Sequence, residues 1–169
     1  MNLEEIIKNG SKQLKKGKTN TSLLDAEIIL SDLMGITREF LITNNDMNIP
    51  DSIKKKFNHA INRRINDEPV AYITGKRDFW TETFAVNRAT LIPRPETELL
   101  IYKIIKFFRN KSINILDIGT GSGCILLSIL KELKFSRGTG IDISNLAIKV
   151  AINNSRRFNL SNRSKFKVF

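Results

Sequence analysis

Ile-Asn-Ile-Leu-Asp-Ile-Gly-Thr-Gly-Ser-Gly-Cys-Ile-Leu-Leu, residues 113–127, is the stretch whose reading decides the fold. A β-branched run (Ile113, Ile115, Ile118) gives way to glycines on alternate positions, Gly119, Gly121 and Gly123, and an apolar helical pattern follows at once. That order predicts a buried parallel strand turning sharply into a helix. Glycine serves such a turn in two ways: it reaches backbone angles closed to other residues, and it lets a ligand approach the main chain. Asp117 falls at the carboxyl end of the strand, where open α/β sheets bind ligands.

Several nucleotide-type folds use a glycine-rich first turn, and the residues separate them. A P-loop needs Gly-Lys-Ser/Thr, and the first lysine after the turn is Lys131, so that reading fails. A dinucleotide site wants G-x-G-x-x-G/A, but here the third glycine comes one residue early and Cys124 holds the last position. What stands is Asp117-x-Gly119-x-Gly121-x-Gly123, followed by a second strand, Gly-Thr-Gly-Ile-Asp-Ile, that ends near Asp142. An acidic residue about twenty positions after the turn is the usual ribose partner, because one carboxylate can accept both hydroxyls of an adenosine ribose. A turn of this kind with a later aspartate resembles the cofactor site of S-adenosylmethionine-dependent methyltransferases. A turn that merely packs helix on strand would need neither three alternating glycines nor the acidic strand end.

Length and composition bound the rest. At 169 residues the chain holds one ordinary domain or two small ones, and 41% hydrophobic with 27% charged residues is a globular composition. The single cysteine, Cys124, excludes an internal disulfide and suits a reducing compartment; set in an apolar helix start, it reads as a small filler rather than a catalytic thiol. The N-terminus, Met-Asn-Leu-Glu-Glu-Ile-Ile, is acidic and amphipathic, unlike a signal or transit peptide, and no apolar run approaches eighteen residues. A cytoplasmic location is expected. Lys and Arg number 28 against 17 Asp and Glu, a net charge of +11 that would suit a polyanionic partner. The charges are scattered, however (Lys12, Lys15, Lys16 and Lys18; Lys54, Lys55 and Lys56; Arg156, Arg157 and Arg163), and read as a solvated basic surface. The one histidine, His59, falls on a polar flank, so no metal site is expected.

Before the glycine motif the pattern is helical. Leu3, Ile6, Ile7, Gly10 and Leu14 predict an amphipathic helix over Leu3–Lys16, broken by Gly-Lys-Thr-Asn at 17–20. Ser22-Leu-Leu-Asp25 predicts a capping-box start to a helix that Gly35 ends. Thr37 is expected to cap a short helix over Arg38–Thr43, and Pro50 to open one running to about Asn66. Four short helices make a small bundle. Residues 69–75 read as a turn-like piece, and residues 78–80 and 84–86 flank Thr81-Glu-Thr83 as a hairpin. Pro93 and Pro95 hold Arg94 extended, and Pro95 opens a helix with Leu100, Ile101, Ile104, Ile105 and Phe108 on one face.

Three stretches, Glu-Pro-Val-Ala-Tyr-Ile-Thr-Gly (68–75), Ile-Pro-Arg-Pro-Glu-Thr-Glu (92–98) and Leu-Asp-Ile-Gly-Thr-Gly-Ser-Gly-Cys (116–124), occur in that order and spacing. Together they closely resemble the peptide chain release factor glutamine methyltransferases, the HemK/PrmC family, over almost the whole chain. The resemblance implies an α/β fold: a helical bundle over 1–70 that docks the release factor, a hairpin and Pro-Arg-Pro-Glu-Thr-Glu linker over 71–96, and about three strands of a Rossmann-like methyltransferase sheet over 97–169. It implies S-adenosylmethionine as cofactor, with Gly119, Thr120, Gly121, Ser122 and Gly123 cradling its methionine end, Asp142 holding its ribose, and the loop at 94–97 lying over the site. The implied substrate is the glutamine of the Gly-Gly-Gln loop of release factors.

Family members also carry Asn-Pro-Pro-Tyr after a fourth strand, where an asparagine oxygen and a proline carbonyl aim the poorly nucleophilic amide nitrogen at the methyl group. The 169 residues contain no Asn-Pro-Pro-Tyr and end in what reads as a third strand, Lys-Phe-Lys-Val-Phe. No catalytic residue is therefore assigned, and the chain by itself is expected to be inactive, with the strand over 113–118 an open edge. Two other functions compete: a DNA or RNA amino-methyltransferase using the same cofactor turn, to which the +11 charge would be congenial, and a non-catalytic remnant. The Pro-Arg-Pro-Glu-Thr-Glu loop and the bundle favour the protein methyltransferase, without direct nucleic-acid binding.

Overall fold

The structure, a computed structural model, describes residues 2–17 and 19–169. Lys18, in the break after the first helix, lies outside the described residues, as does Met1. The chain divides into two compact units, Met1–Thr74 and Gly75–Phe169.

The first unit is all helix: α1 (Leu3–Lys16), α2 (Ser22–Met34), α3 (Arg38–Thr43), α4 (Asp51–Ile65) and α5 (Val70–Thr74). The spacing of apolar residues on α1 sends Leu3, Ile6, Ile7, Gly10 and Leu14 into a core shared with Ile29, Leu30, Leu41, Phe57 and Ile61. A capping box does start a helix, but at Asn2 and Glu5 of α1, where each side chain meets the other's backbone N–H at 2.9 and 3.1 Å. The box expected at Ser22 and Asp25 does not form. Thr21 is the N-cap without a side-chain bond, and the Asp25 carboxylate turns inward to the Nε of Arg64 at 2.7 Å. A buried charge must take its pairing partner wherever that partner lies, which outranks a surface cap. Thr37 caps α3 as expected, accepting the N–H of Phe40 at 3.2 Å, while Pro50 is the N-cap of α4 rather than its first residue. The turn-like piece at 69–75 is the short helix α5, whose five residues are too few to show a period.

In the second unit, β1 (Lys76–Phe79) and β2 (Glu82–Ala85) form the expected hairpin. Its turn puts the bulky Trp80 at φ +56°, a backbone region such residues avoid. Then come α6 (Thr97–Phe108), β3 (Asn114–Ile118), α7 (Cys124–Glu132), β4 (Arg137–Asp142), α8 (Asn145–Arg157) and β5 (Ser164–Val168). The strands make a parallel sheet in the order β3-β4-β5, with Asp117 opposite Gly140 and Asp142 opposite Val168. Leu126, Leu127, Ile129 and Leu130 of α7 pack with Ile101, Phe79 and Phe84 into its core. The second unit is thus the first part of a Rossmann-like sheet, and the first unit is a helical bundle. One expectation needs correcting: β3 is not buried on both faces. It is the open edge strand expected of these residues, with Leu116 61% and Ile118 76% exposed. On α6, only Ile101 of the expected apolar face is fully buried.

Candidate functional site

The site grows out of the ends of β3 and β4. Leaving β3, the chain folds its N–H groups back toward β4: those of Gly119 and Thr120 both donate to the carbonyl of Ile141, at 2.9 and 3.0 Å. The next donor, the N–H of Gly121, reaches the Oδ2 of Asp142 at 2.9 Å. The N–H of Gly123 closes the turn on the carbonyl of Thr120 at 2.8 Å, and α7 begins. The turn and the acidic strand end singled out in the sequence are therefore one hydrogen-bonded unit.

The predicted residues divide by orientation. Gly121 sits at φ +55°, and a Cβ placed there would have no protein atom within 4 Å, so the space beyond it is open to a ligand. Gly123, at φ +78°, faces the other way: a Cβ there would lie 3.0 Å from Leu127 and 3.3 Å from Ala151. It is the packing glycine of the turn, the one that lets helix approach strand. Thr120 and Ser122 are buried, 5% and 2% exposed. The Thr120 hydroxyl donates to the Oδ2 of Asp117 at 2.7 Å.

Two carboxylates border this turn. Burial raises the Asp117 carboxyl above its ordinary range, the Thr120 hydroxyl works against that, and the negative charge of Asp142 adds to it. Asp142 is held by two backbone donors, Gly121 at Oδ2 and Ser144 at Oδ1, both at 2.9 Å. Each oxygen keeps a second lone pair, enough for a pair of ribose hydroxyls. Burial also pushes the Cys124 thiol up, away from a reactive thiolate. Open backbone at Gly121, an acidic strand end and a nearby second carboxylate fit a ligand that carries both a ribose and positive charge, as S-adenosylmethionine does. Among the described residues no group of three His, Cys, Asp or Glu side chains comes together that could hold a metal ion.

Two connections escape a reading of the sequence. Asn154 of α8 is fully buried and bonds both to Ala85 on the hairpin and to the carbonyl of Ser122 in the turn. Its signal was available: a lone amide in register with Ala147, Ile148 and Ala151 on the buried face of a helix. Glu98, the last residue of the Pro-Arg-Pro-Glu-Thr-Glu stretch, accepts the N–H of Trp80 at 2.9 Å, and Glu132 accepts its indole N–H at 2.8 Å. The strained hairpin turn is thereby pinned to α6 and α7. A cleft of about 630 Å³ between the C-terminal ends of α6 and α7, lined by Tyr102, Arg109 and Phe135 among others, involves none of these residues except Glu132.

Known proteins resemble both parts of the chain. Residues 5–75 match the PrmC N-terminal domain family, and residues 109–168 match a methyltransferase domain family. The release factor glutamine methyltransferase of Buchnera aphidicola subsp. Schizaphis graminum (strain Sg) is 37% identical over 162 residues, covering 96% of this chain and 58% of that protein. That of Leptospira interrogans serogroup Icterohaemorrhagiae serovar Lai (strain 56601) is 38% identical over 152 residues, 89% of this chain and 53% of that one. The chain spans a little over half the length of these curated relatives. Among solved structures, a SAM-dependent methyltransferase from Thiobacillus denitrificans in complex with S-adenosyl-L-homocysteine matches at 26% identity over 45% of this chain and 29% of that chain, with a TM-score of 0.38, too low to transfer geometry. With a family match on each side of the hairpin and relatives aligned over nearly all its residues, the chain is similar from end to end to the release factor glutamine methyltransferases.

Proposed function

We propose that this chain supplies the cofactor-binding part and the N-terminal domain of a protein-(glutamine-N5) methyltransferase acting on the Gly-Gly-Gln loop of release factors in translation termination, in the cytoplasm. The single observation that carries the reading is the bond from the Gly121 N–H to Asp142, which joins a turn facing open space to the residue proposed to hold the ribose. When bound, S-adenosylmethionine supplies an electrophilic methyl group on a sulfonium.

The chain's own residues bind and orient. Gly119, Gly121 and the main chain of Thr120, Ser122 and Gly123 line the methionine end; Asp142 takes the ribose hydroxyls; and Asp117 and Asp142 together favour a cationic ligand over a neutral one by charge. The helical unit at residues 1–74 is the proposed dock for the release factor. No described helix is long and apolar enough to cross a membrane, in keeping with a cytoplasmic role. The residues that would orient the glutamine amide are those of the Asn-Pro-Pro-Tyr motif, which these 169 residues do not contain.

The test has two stages. Calorimetry on the 169-residue chain should show S-adenosylhomocysteine binding, and labelled methyl transfer by it should be nil. A chimera that continues after Phe169 with the corresponding remainder of the Buchnera aphidicola relative should methylate the release factor glutamine and leave DNA and RNA unlabelled. Label in nucleic acid instead would favour the amino-methyltransferase reading that the +11 charge suggests.

A further inference from the structure

Asn154 has no role in the reading above, yet it is the most completely satisfied side chain around the glycine turn. It is 0% exposed. Its Nδ2 donates to the carbonyl of Ala85 at 3.0 Å and to that of Ser122 at 2.9 Å, and its Oδ1 accepts the Ala85 N–H at 2.8 Å and Nη1 of Arg157 at 3.3 Å. A primary amide offers two donors and two acceptor lone pairs, so its capacity is filled.

The pairing with Ala85 follows from the register of the hairpin. The N–H of Val86 donates to the carbonyl of Gly75 at 3.0 Å, which makes that pair a bonded one. Its neighbour in the ladder, Lys76 opposite Ala85, is then a non-hydrogen-bonded pair, whose backbone groups point away from the partner strand. At that outer edge the amide of Asn154 meets both the N–H and the carbonyl of Ala85, as a neighbouring strand would. Its remaining donor is spent on the carbonyl of Ser122, one residue beyond Gly121. A single side chain thus joins the edge of the hairpin to the inner side of the turn. The hairpin cannot shift without drawing on that amide, and the turn cannot open at Ser122 without leaving a buried donor unpaired.

We propose that Asn154 is a positioning residue that locks the glycine turn to the β1–β2 hairpin, so that the shape of the turn, and with it cofactor affinity, depends on the hairpin. The affinity part rests on the reading of the turn as the S-adenosylmethionine cradle; the locking part does not.

The experiment uses the 169-residue chain and two substitutions. Asn154→Ala removes all the bonds. Asn154→Asp keeps the shape and the acceptor for Ala85 but sets a carboxylate oxygen against the carbonyls of Ala85 and Ser122. Ile101→Ala, in the same core but on α6, is the control for general loss of stability. Amide exchange on the ligand-free proteins reads the lock. Both Asn154 variants should speed exchange at Gly121 and Gly123 by about tenfold or more relative to the β4 amides, the equivalent of one lost buried hydrogen bond, and the control should not. S-adenosylhomocysteine affinity should fall about tenfold in both variants, at temperatures where each is fully folded, and be unchanged in the control. Exchange that rises uniformly, or at Ala85 but not in the turn, would overturn the lock. Unchanged affinity in a variant whose turn exchanges faster would overturn the link to the cofactor. If the unaltered chain binds no S-adenosylhomocysteine, the cofactor reading and the affinity part fail together, and exchange alone decides the lock. If Asn154→Ala does not fold, Asn154→Asp gives the same readouts.

Discussion

The carboxylate of Asp142 accepts the N–H of Gly121 at 2.9 Å, so the residue proposed to hold the ribose also holds the turn against which the methionine end would lie. Its second oxygen, on the N–H of Ser144, ties the same group to the cap of α8. Asp142→Ala should weaken S-adenosylhomocysteine binding by roughly 1.5–3 kcal/mol, the range for hydrogen bonds to a charged group. An analogue without ribose hydroxyls separates the two roles. If Asp142 acts on the ribose, the mutation costs the analogue much less than the natural ligand; equal losses in calorimetry would mean that it acts through the turn alone.

The two glycines of opposite orientation should respond oppositely. Gly121→Val places a side chain into open space, so the turn pays only the strain of a left-handed residue, about 1–2 kcal/mol, and the variant should fold yet lose cofactor binding. Gly123→Ala adds to that strain a contact of 3.0 Å with Leu127, and should destabilise the α/β unit more than Gly121→Val does. Denaturation midpoints and binding isotherms of both variants check the order. Binding by Gly121→Val with unchanged affinity would remove the ligand from that side of the turn.

Asp117 carries a pH signature. Burial raises its folded pKa above the ordinary aspartate value of 3.8, so the folded state holds the proton more tightly than the unfolded one. Its contribution to stability is present in full below the unfolded value and is lost as pH rises through the raised folded pKa. Over that window stability should fall with rising pH, opposite to the effect of a carboxylate whose pKa is depressed. Asp117→Asn, which still accepts from the Thr120 hydroxyl, should flatten that part of the profile in urea titrations at stepped pH. An identical profile would remove Asp117 as its source.

Glu68, which opens the first of the three diagnostic stretches, has a structural task. It takes Arg63 through two bonds, at 2.7 and 2.8 Å, and its own side chain is only 8% exposed. The pairing raises the pKa of Arg63 further, so the guanidinium stays charged throughout. Glu68→Ala should destabilise the helical unit by about 1–2 kcal/mol, less than a fully buried pair because Arg63 is 35% exposed. Thermal unfolding of the variant gives the number; a loss within a few tenths would make the pair incidental.

The open edge of β3 should make the 169-residue chain self-associate. Leu116 and Ile118 stand 61% and 76% exposed beside unpaired strand edge, and Ile143 at the end of β4 is 84% exposed. Ile118→Lys should lower the association, since a charge at an edge blocks pairing. Sedimentation of the two proteins across a concentration series decides it, and a monomeric unaltered chain would count against the edge.

The helix over Leu3–Lys16, the hairpin and the strand–turn–helix at the glycine motif were legible because each is specified within a few residues, by apolar period, turn chemistry or alternating glycines. The cap at Ser22 was misread for the opposite reason. Ser22 and Asp25 satisfy the local pattern, but the carboxylate is claimed by Arg64, 39 residues away. The short helix α5 lies below the length at which a period exists, and only its packing defines it. Within the turn, the sequence grouped Thr120 and Ser122 with the glycines, whereas the structure buries both residues and leaves Gly121 facing open space.

The sequence by itself determined the strand-to-helix turn, the acidic strand end at Asp142 and the family resemblance, because these depend on residue types at fixed short spacings. Only the tertiary structure decided that Asp142 closes on Gly121 and that Asn154 joins Ala85, 69 residues before it, to Ser122, 32 residues before it. A hydrogen bond between distant residues forms only after the loops between them have closed and the core has packed, and neither event leaves a local pattern in the chain.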